Sequence, residues 1–157
     1  MVGGEADALE TARPVLEPMA GKIIHCGGPG AGQAAKLCNN MLLAVQQIAV
    51  GEAFVLADKL GLSAQSLFDV VTGATGNCWA VHTNCPVPGP VPTSPANNGF
   101  KPGFATALMN KDLGLAMDAV ASTGASAPLG SHAAAIYAAF AEEHAGLDFS
   151  AVIETLR

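Results

Sequence analysis

The sequence predicts a mainly α-helical domain that follows a short α/β segment. From residue 33 onward the apolar residues recur at helical spacings, and the β-rich runs lie before residue 30. Half of the 157 residues are apolar and only 13% are charged, a low charged fraction for a soluble protein. We therefore expect one core of normal size, with an oligomeric partner or a missing neighbouring domain covering part of the surface.

The first 29 residues are predicted to contain one helix between two extended runs. The start, MVGGE, is typical of the end of a strand, and KIIHCGG at 22–28 is predicted to form a second strand. Between them, EADALETARPVLEPMAG is predicted to be a short amphipathic helix with Leu9 and Leu16 on its apolar face and Gly21 as its end. Because the chain opens within a predicted strand, we expect it to be a fragment of a longer protein.

A long helix is predicted over residues 33–60. About 28 residues at ~1.5 Å each give a length of about 42 Å. Apolar residues lie on nearly all of its sides, so burial on every side is expected. The central segment MLLAVQQIAVGEAFVLA contains Gln46, Gln47 and Glu52, which favour a buried core helix over a membrane span. Gly61 is predicted to end the helix.

Four further helices are predicted, at about 64–72, 105–123, 131–145 and 149–156. Serine at an N-cap and glycine just beyond a C-terminus are typical helix boundaries. The expected caps are Ser63 and Ser131, and the expected ends are Gly73, Gly124 and Gly146.

The segment 73–103 interrupts these helices and contains six of the ten prolines. Trp79, the only tryptophan, lies before the prolines. A loop of this length inside a compact domain is usually functional. We therefore expect it to be anchored and to contribute to a binding site.

Charge and cysteine content argue against two classes of site. The net charge is −6 and only seven residues are basic, whereas nucleic-acid binding needs a face rich in Lys and Arg. The four cysteines form no CxxC pair, and His25, Cys26, His82 and Cys85 do not have zinc-site spacings. We expect no metal site, no nucleic-acid or membrane partner, and a reduced cytoplasmic location.

The segment GPGAGQAA contains a G-x-G-x-x-A pattern at Gly30, Gly32 and Ala35, which is a variant of the dinucleotide-binding fingerprint. That fingerprint needs a second parallel strand about thirty residues later, ending in an acidic residue. Here the predicted helix continues instead. We therefore interpret the glycines as a tight turn into the helix with close backbone packing.

Two polar pairs interrupt otherwise apolar helices. Lys36 and Asn40 are four residues apart and share one helix face near its N-terminal end. A lysine in this position is either a surface residue with a packed stem or a functional amine that transfers protons. Lys111 and Asp112 form the second pair. They are either a second functional pair or simply a surface lysine and its neighbour at the edge of a core helix.

Taken together, these residues resemble the β-hydroxyacid dehydrogenase family over the whole chain. Three motifs carry the resemblance: GxGxxxKxxNN around Lys36, GNCWAVHTNCPVPG around Trp79 and GFATALMNKDLGLAMD around Lys111. The last two are most similar to the hydroxyisobutyrate branch. The resemblance implies an all-helical C-terminal domain of the 6-phosphogluconate dehydrogenase type at 30–157, preceded at 1–29 by the tail end of an NAD-binding Rossmann domain.

The resemblance also implies roles for six residues. Lys36 would act as the general acid/base at the substrate oxygen, and Asn40 would orient that oxygen. Lys111 and Phe104 would lie near the nicotinamide. Substrate contacts are implied for Trp79 and Asp112. Relatives often carry tyrosine five residues after the tryptophan, where this chain has Asn84.

The implied activity is NAD-dependent oxidation of 3-hydroxyisobutyrate to methylmalonate semialdehyde, in valine and other branched-chain amino acid catabolism. A Rossmann domain would precede residue 1, and the helical domain would form a homodimer or homotetramer. The chain alone is then expected to be inactive. Two alternatives remain open: another β-hydroxyacid enzyme, such as tartronate or succinic semialdehyde reductase, and a non-catalytic helical dimerisation module.

Overall fold

The computed structural model describes residues 1–157 and contains six α-helices, three short 3-10 helices and no β-strand. The α-helices are α1 (Ala6–Leu16), α2 (Ala31–Lys59), α3 (Ala64–Thr72), α4 (Trp79–His82), α5 (Thr106–Thr123) and α6 (Pro128–His144). The 3-10 helices are Glu17–Met19, Pro95–Asn98 and Phe149–Thr155. The chain divides into two compact units, Met1–Asn40 and Met41–Arg157, and α2 contributes to both.

The first unit contains a single β-bridge where strands were predicted. Val2 and His25 pair in parallel: the Val2 N–H donates to the Ile24 carbonyl at 2.9 Å, and the Cys26 N–H donates to the Val2 carbonyl at 2.8 Å. The strand predictions for MVGGE and KIIHCGG were therefore wrong. The chain leaves the extended conformation at Gly27, whose φ is 119°, so the pairing stops after one bridge.

Two glycines allow the first residues of the chain to pack directly against the start of α2. A Cβ added at Gly32 would lie 2.9 Å from the Gly3 nitrogen and 3.1 Å from the Met1 oxygen. A Cβ added at Gly3 would lie 2.7 Å from the Gly32 nitrogen. Gly30 precedes the helix with a φ of 89°, which favours glycine. The interpretation of GPGAG as a tight turn with close backbone packing is confirmed.

Helix α2 provides the longest packing surface of the second unit. Its buried positions are Ala44, Gln47, Ile48, Val50, Gly51, Phe54 and Ala57. The expected burial on every side is not met within this chain, because Leu42 and Leu56 are exposed on a side that no other part of the unit covers. By length and composition alone α2 could cross a membrane, but core helices of soluble proteins can be equally long and apolar.

Two clusters of buried apolar side chains form the core of the second unit. The first joins α2 to α5, α6 and the C-terminal 3-10 helix, and its largest members are Met109, Leu113, Tyr137, Phe140 and Phe149. The second joins Val50 and Phe54 of α2 to Ala80, Val81, Cys85, Val91 and Ile153. The prediction that the proline-rich segment is anchored is confirmed, because Cys85 and Val91 belong to this cluster.

Two of the predicted helix boundaries are confirmed by their local geometry. The Ser63 side chain caps α3, since its Oγ accepts a hydrogen bond from the Ser66 N–H at 3.1 Å. Gly124 ends α5 with a φ of 70°, a left-handed conformation that glycine adopts without steric cost.

The boundaries of the last two helices differ from the prediction. Helix α6 begins at Pro128, so Ser131 lies inside the helix and is not its cap. Proline suits the first turn because its φ is already helical and its missing N–H has no partner there. The final helix is a 3-10 helix, Phe149–Thr155, which Asp148 caps.

Replacing Gly32 by alanine should lower the free energy of unfolding by about 1–3 kcal/mol, because the added methyl group overlaps backbone atoms. The intrinsic helix preference of alanine, worth about 1 kcal/mol, acts in the opposite direction. Gly28→Ala is the matched control, because a Cβ there meets nothing within 4 Å, and its effect should stay within about 0.5 kcal/mol. Urea unfolding followed by circular dichroism measures both variants, and equal stabilities would contradict the packing role.

Candidate functional site

The residues singled out from the sequence lie in both units. Lys36 and Asn40 belong to the first unit. The second unit contains Trp79, Phe104, Lys111 and Asp112. Within each unit, the residues are placed by a helix or by the turn that leads into one.

Helix α2 places Lys36 and Asn40 on one face. Lys36 is the sixth residue of the helix and is exposed, and Asn40 is half-buried one turn later. The Asn39 Nδ2 donates to the Asn40 Oδ1 at 3.2 Å, which orients the Asn40 carboxamide. At about 100° per residue, the same helix face continues through Ala44 and Gln47, both of which are fully buried. The amine therefore stands on the face of α2 that is buried farther along the helix.

Helix α5 separates Lys111 from Asp112. Lys111 is exposed on the same face as Leu108 and Leu115, which are also exposed. Asp112 is only 5% exposed and lies on the buried face, next in sequence to the core residue Leu113. Lys111 therefore lies between two exposed leucines on the outer face of the helix, and Asp112 lies on its inner face. A substrate contact by Asp112 stays a prediction.

Phe104 lies just before α5 and is held through its backbone. Its N–H donates to Asp148 Oδ2 at 3.0 Å, and its carbonyl accepts a 3.0 Å hydrogen bond from the Phe149 N–H. The rings of Phe104 and Phe149 meet edge to face, with centroids 5.7 Å apart. Phe104 is half-buried, so its ring is fixed in orientation and still offers surface to a ligand.

Trp79 begins the short helix α4 and is 45% exposed. The next two residues, Ala80 and Val81, are buried and hold this turn in the second core cluster. An open, mainly apolar cavity of about 430 Å³ lies between α2, α3 and the segment 75–78. Cys78 and Val81 line it, but Trp79 does not. A substrate contact by Trp79 stays a prediction.

A buried carboxylate links the segments that carry the second-unit candidates. Asp148 is 1% exposed and accepts five hydrogen bonds of 2.7–3.2 Å. Its Oδ2 accepts from the N–H groups of Gly103 and Phe104. Its Oδ1 accepts from Asn84 Nδ2 and from both the N–H and the hydroxyl of Ser150. All five donors are uncharged.

Asn84 extends this buried cluster to α2. The fully buried Gln47 donates from Nε2 to the Asn84 carbonyl at 3.3 Å, and the Asn84 Nδ2 donates to Gln47 Oε1 at 3.4 Å. Asn84 therefore lies in the interior, at 5% exposure. Asp148 is not among the site residues that the sequence predicts. Its one sequence signal was an N-cap residue type immediately before the last helix.

Burial shifts the pKa of two groups near this cluster. Burial, and secondarily the negative charge of Asp148, raise the pKa of the Tyr137 hydroxyl well above its usual range. That hydroxyl donates to the Phe149 carbonyl at 3.1 Å. Burial also raises the pKa of the Cys85 thiol, which keeps it in the unreactive thiol form. All four cysteines are free, and no group of His, Cys, Asp and Glu side chains is arranged to hold a metal ion.

Comparison with known proteins gives a consistent result over the whole chain. Residues 30–156 match the family described as "NAD-binding of NADP-dependent 3-hydroxyisobutyrate dehydrogenase". A probable 3-hydroxyisobutyrate dehydrogenase of Mycobacterium tuberculosis is 85% identical over 100% of this chain and 53% of its own length. An NAD-dependent L-serine dehydrogenase of Pseudomonas aeruginosa is 44% identical over 97% of this chain and 51% of its own length.

The structural comparison agrees. The solved structure of Mycobacterium tuberculosis 3-hydroxyisobutyrate dehydrogenase with L-serine superposes with a TM-score of 0.98 and 85% identity. It is matched over 100% of this chain and 54% of that chain. The chain thus spans about half the length of the relatives it matches.

Tyr137, the only tyrosine in the chain, should make the protein less stable at alkaline pH. Because its pKa is raised in the folded state, the folded protein keeps a proton that the unfolded chain loses above about pH 10. The free energy of unfolding should therefore fall as pH rises above about 10. Ultraviolet absorbance of tyrosinate and denaturant unfolding at several pH values measure the two effects.

Tyr137→Phe is the control for that experiment. It should remove this part of the pH dependence, while costing about 1 kcal/mol at neutral pH for the lost hydrogen bond. Ordinary tyrosinate formation near pH 10 in the folded protein would contradict the buried, hydrogen-bonded hydroxyl.

Proposed function

Because the chain belongs to the family described as NAD-binding of NADP-dependent 3-hydroxyisobutyrate dehydrogenase, we propose that it is the part of a hydroxyacid dehydrogenase that carries the catalytic lysine. The observation that supports this most directly is the placement of Lys36 and Asn40 on one face of α2. That face is buried farther along the helix, at Ala44, Gln47 and Phe54. A non-catalytic dimerisation module would have no need of an amine and a carboxamide at this position.

The proposed reaction is oxidation of 3-hydroxyisobutyrate to methylmalonate semialdehyde, a step of valine catabolism, in the cytoplasm. The hydride acceptor would be a bound nicotinamide dinucleotide, which we expect to be NAD. Lys36 acts as the general base and takes the hydroxyl proton as the carbon–oxygen bond becomes a carbonyl. In the reverse direction the same amine returns the proton. The Asn40 carboxamide orients the reacting oxygen by a hydrogen bond.

The groups at the start of α5 fit a nicotinamide dinucleotide. The half-buried ring of Phe104 is held by two backbone hydrogen bonds and suits contact with a planar ring. Lys111 provides an exposed cation on the same helix, and the family resemblance implies that it lies near the nicotinamide. We assign cofactor contact to these two residues, and substrate contact to Trp79 and Asp112.

We place the pyrophosphate-binding Rossmann domain in another part of a longer protein. The chain spans about half the length of the relatives it matches, and its own glycine pattern is unsuited to this role. Backbone atoms of Met1 and Gly3 already occupy the space beside Gly32, where a phosphate would need to approach. The chain alone should therefore be inactive, and residues 1–29 would be the end of that domain.

A second copy of the chain is the proposed cover for the apolar exposed surface of the second unit. Leu42 and Leu56 of α2 and Leu115 of α5 are all exposed, and an interface with a second copy would remove this apolar surface from water. We propose a homodimer or homotetramer formed through the helical domain.

A second candidate substrate is L-serine, which is also a β-hydroxyacid. A relative 44% identical to this chain is named an NAD-dependent L-serine dehydrogenase. The same roles for Lys36 and Asn40 would apply, since the reacting group is again a hydroxyl on the carbon β to a carboxylate. Comparing kcat/KM for the two compounds in the full-length protein separates the candidates.

Replacing Lys36 by methionine in the full-length protein should lower kcat for 3-hydroxyisobutyrate oxidation by about 10²–10⁴-fold. Methionine keeps an apolar stem of similar length but cannot exchange a proton. Absorbance of the reduced cofactor measures the rate. Lys59→Met, which replaces a second exposed lysine of α2, is the matched control and should keep the wild-type rate. A Lys36→Met variant within about tenfold of the wild-type kcat would contradict general base catalysis by this amine.

A further inference from the structure

The backbone just before α5 is fixed by one oxygen of a buried carboxylate. Asp148 Oδ2 accepts hydrogen bonds from two successive N–H groups, those of Gly103 and Phe104, each at 3.0 Å. Two donors that converge on one acceptor fix the peptide plane between them. The opposite side of Phe104 is held by its carbonyl, which accepts from the Phe149 N–H at 3.0 Å. The ring of Phe104 therefore has little freedom beyond its own side-chain rotation.

The second oxygen of Asp148 serves other segments. Oδ1 accepts from the Ser150 N–H at 3.0 Å and from its hydroxyl at 2.7 Å, which is local capping of the last helix. It also accepts from Asn84 Nδ2 at 3.2 Å, in the loop that follows Trp79. The two oxygens thus have separable tasks: Oδ1 caps the last helix and holds the loop, and Oδ2 holds the residues that lead into α5.

We infer that Asp148 is a positioning residue for the dinucleotide cofactor. It acts by fixing Phe104 through Oδ2. This inference rests on the proposed function, because it requires Phe104 to contact the cofactor. A carboxylate is needed at this position because five donors converge on the side chain. A carboxylate has two acceptor oxygens, whereas a carboxamide of the same shape has only one and carries donors on the other atom.

Asp148→Asn in the full-length protein separates the two tasks. The single carboxamide oxygen should stay on the Oδ1 side, where three donors meet it. The NH₂ group then faces the N–H groups of Gly103 and Phe104, and these donors repel it. Ser150→Ala is the matched control, because it removes one donor to Oδ1 and leaves both hydrogen bonds to Oδ2.

Two measurements compare these variants with the wild type. In Asp148→Asn, amide hydrogen exchange at Gly103 and Phe104 should become at least about tenfold faster, and the Kd for NAD by calorimetry should rise about tenfold. Ser150→Ala should leave both values near those of the wild type. An unchanged Kd in a folded Asp148→Asn variant, or an equal rise in both variants, would overturn the inference.

A double-mutant cycle distinguishes positioning from a general loss of stability. Phe104→Leu should itself weaken NAD binding, and Asp148→Asn should then weaken it by much less than in the wild-type background, because both changes act through the same ring. Fully additive effects would count against Asp148 acting through Phe104. If Asp148→Asn does not fold, Asp148→Glu, which keeps two acceptors but displaces them, is measured in the same cycle with the same expected pattern.

Failure of this inference can be distinguished from failure of the proposed reaction. A full-length protein that binds NAD but oxidises neither 3-hydroxyisobutyrate nor L-serine would contradict the reaction, while the Kd pattern above would still support the role of Asp148. Failure of the wild-type protein to bind NAD would overturn both.

Discussion

The arrangement of the second unit depends on one buried carboxylate that is fully hydrogen-bonded. A carboxylate removed from water is costly unless donors replace the lost hydration, and Asp148 receives five hydrogen bonds at 1% exposure. These donors come from the loop after Trp79, from the turn into α5 and from the last helix. Through Asn84 the cluster also reaches Gln47 of α2. Four separate parts of the chain are therefore held together by polar contacts that tolerate little displacement.

Helix α2 contains both Gln47 of this cluster and the proposed catalytic pair. One continuous helix carries Lys36 and Asn40 near its start and the buried residues Gln47 and Phe54 on the same side farther along. The polar cluster holds Gln47 within the second unit, and the close backbone approach at Gly32 holds the start of α2 within the first unit.

The sequence predicts most of the helices because their signals are local. Apolar periodicity marks α2 and α5, and the side chain of Ser63 forms the cap that its residue type indicates. Predictions that depend on partners elsewhere in the chain are weaker. The strand expected in KIIHCGG reduces to one bridge, and Ser131 lies inside a helix that Pro128 begins. The role of Asp148 could not be predicted from the sequence, because its donors come from residues far apart in the chain and no local pattern reveals such a convergence.

The glycine pattern at 30–32 shows how one motif can serve a different purpose. Its spacing is that of a dinucleotide-binding turn, but the space beside Gly32 is filled by the backbone of Met1 and Gly3. The six site residues implied by the family resemblance, by contrast, could be named from short motifs and remain proposals for this chain.

The distance from Lys36 Nζ to the hydroxyl oxygen of bound 3-hydroxyisobutyrate tests the central claim most directly. A crystal structure of the full-length protein with NAD and this substrate supplies the measurement. We expect the amine within hydrogen-bond distance, about 2.6–3.2 Å, of that oxygen, with the Asn40 carboxamide beside it. A substrate hydroxyl bound beyond the reach of Lys36, with another side chain in contact with it, would contradict the account.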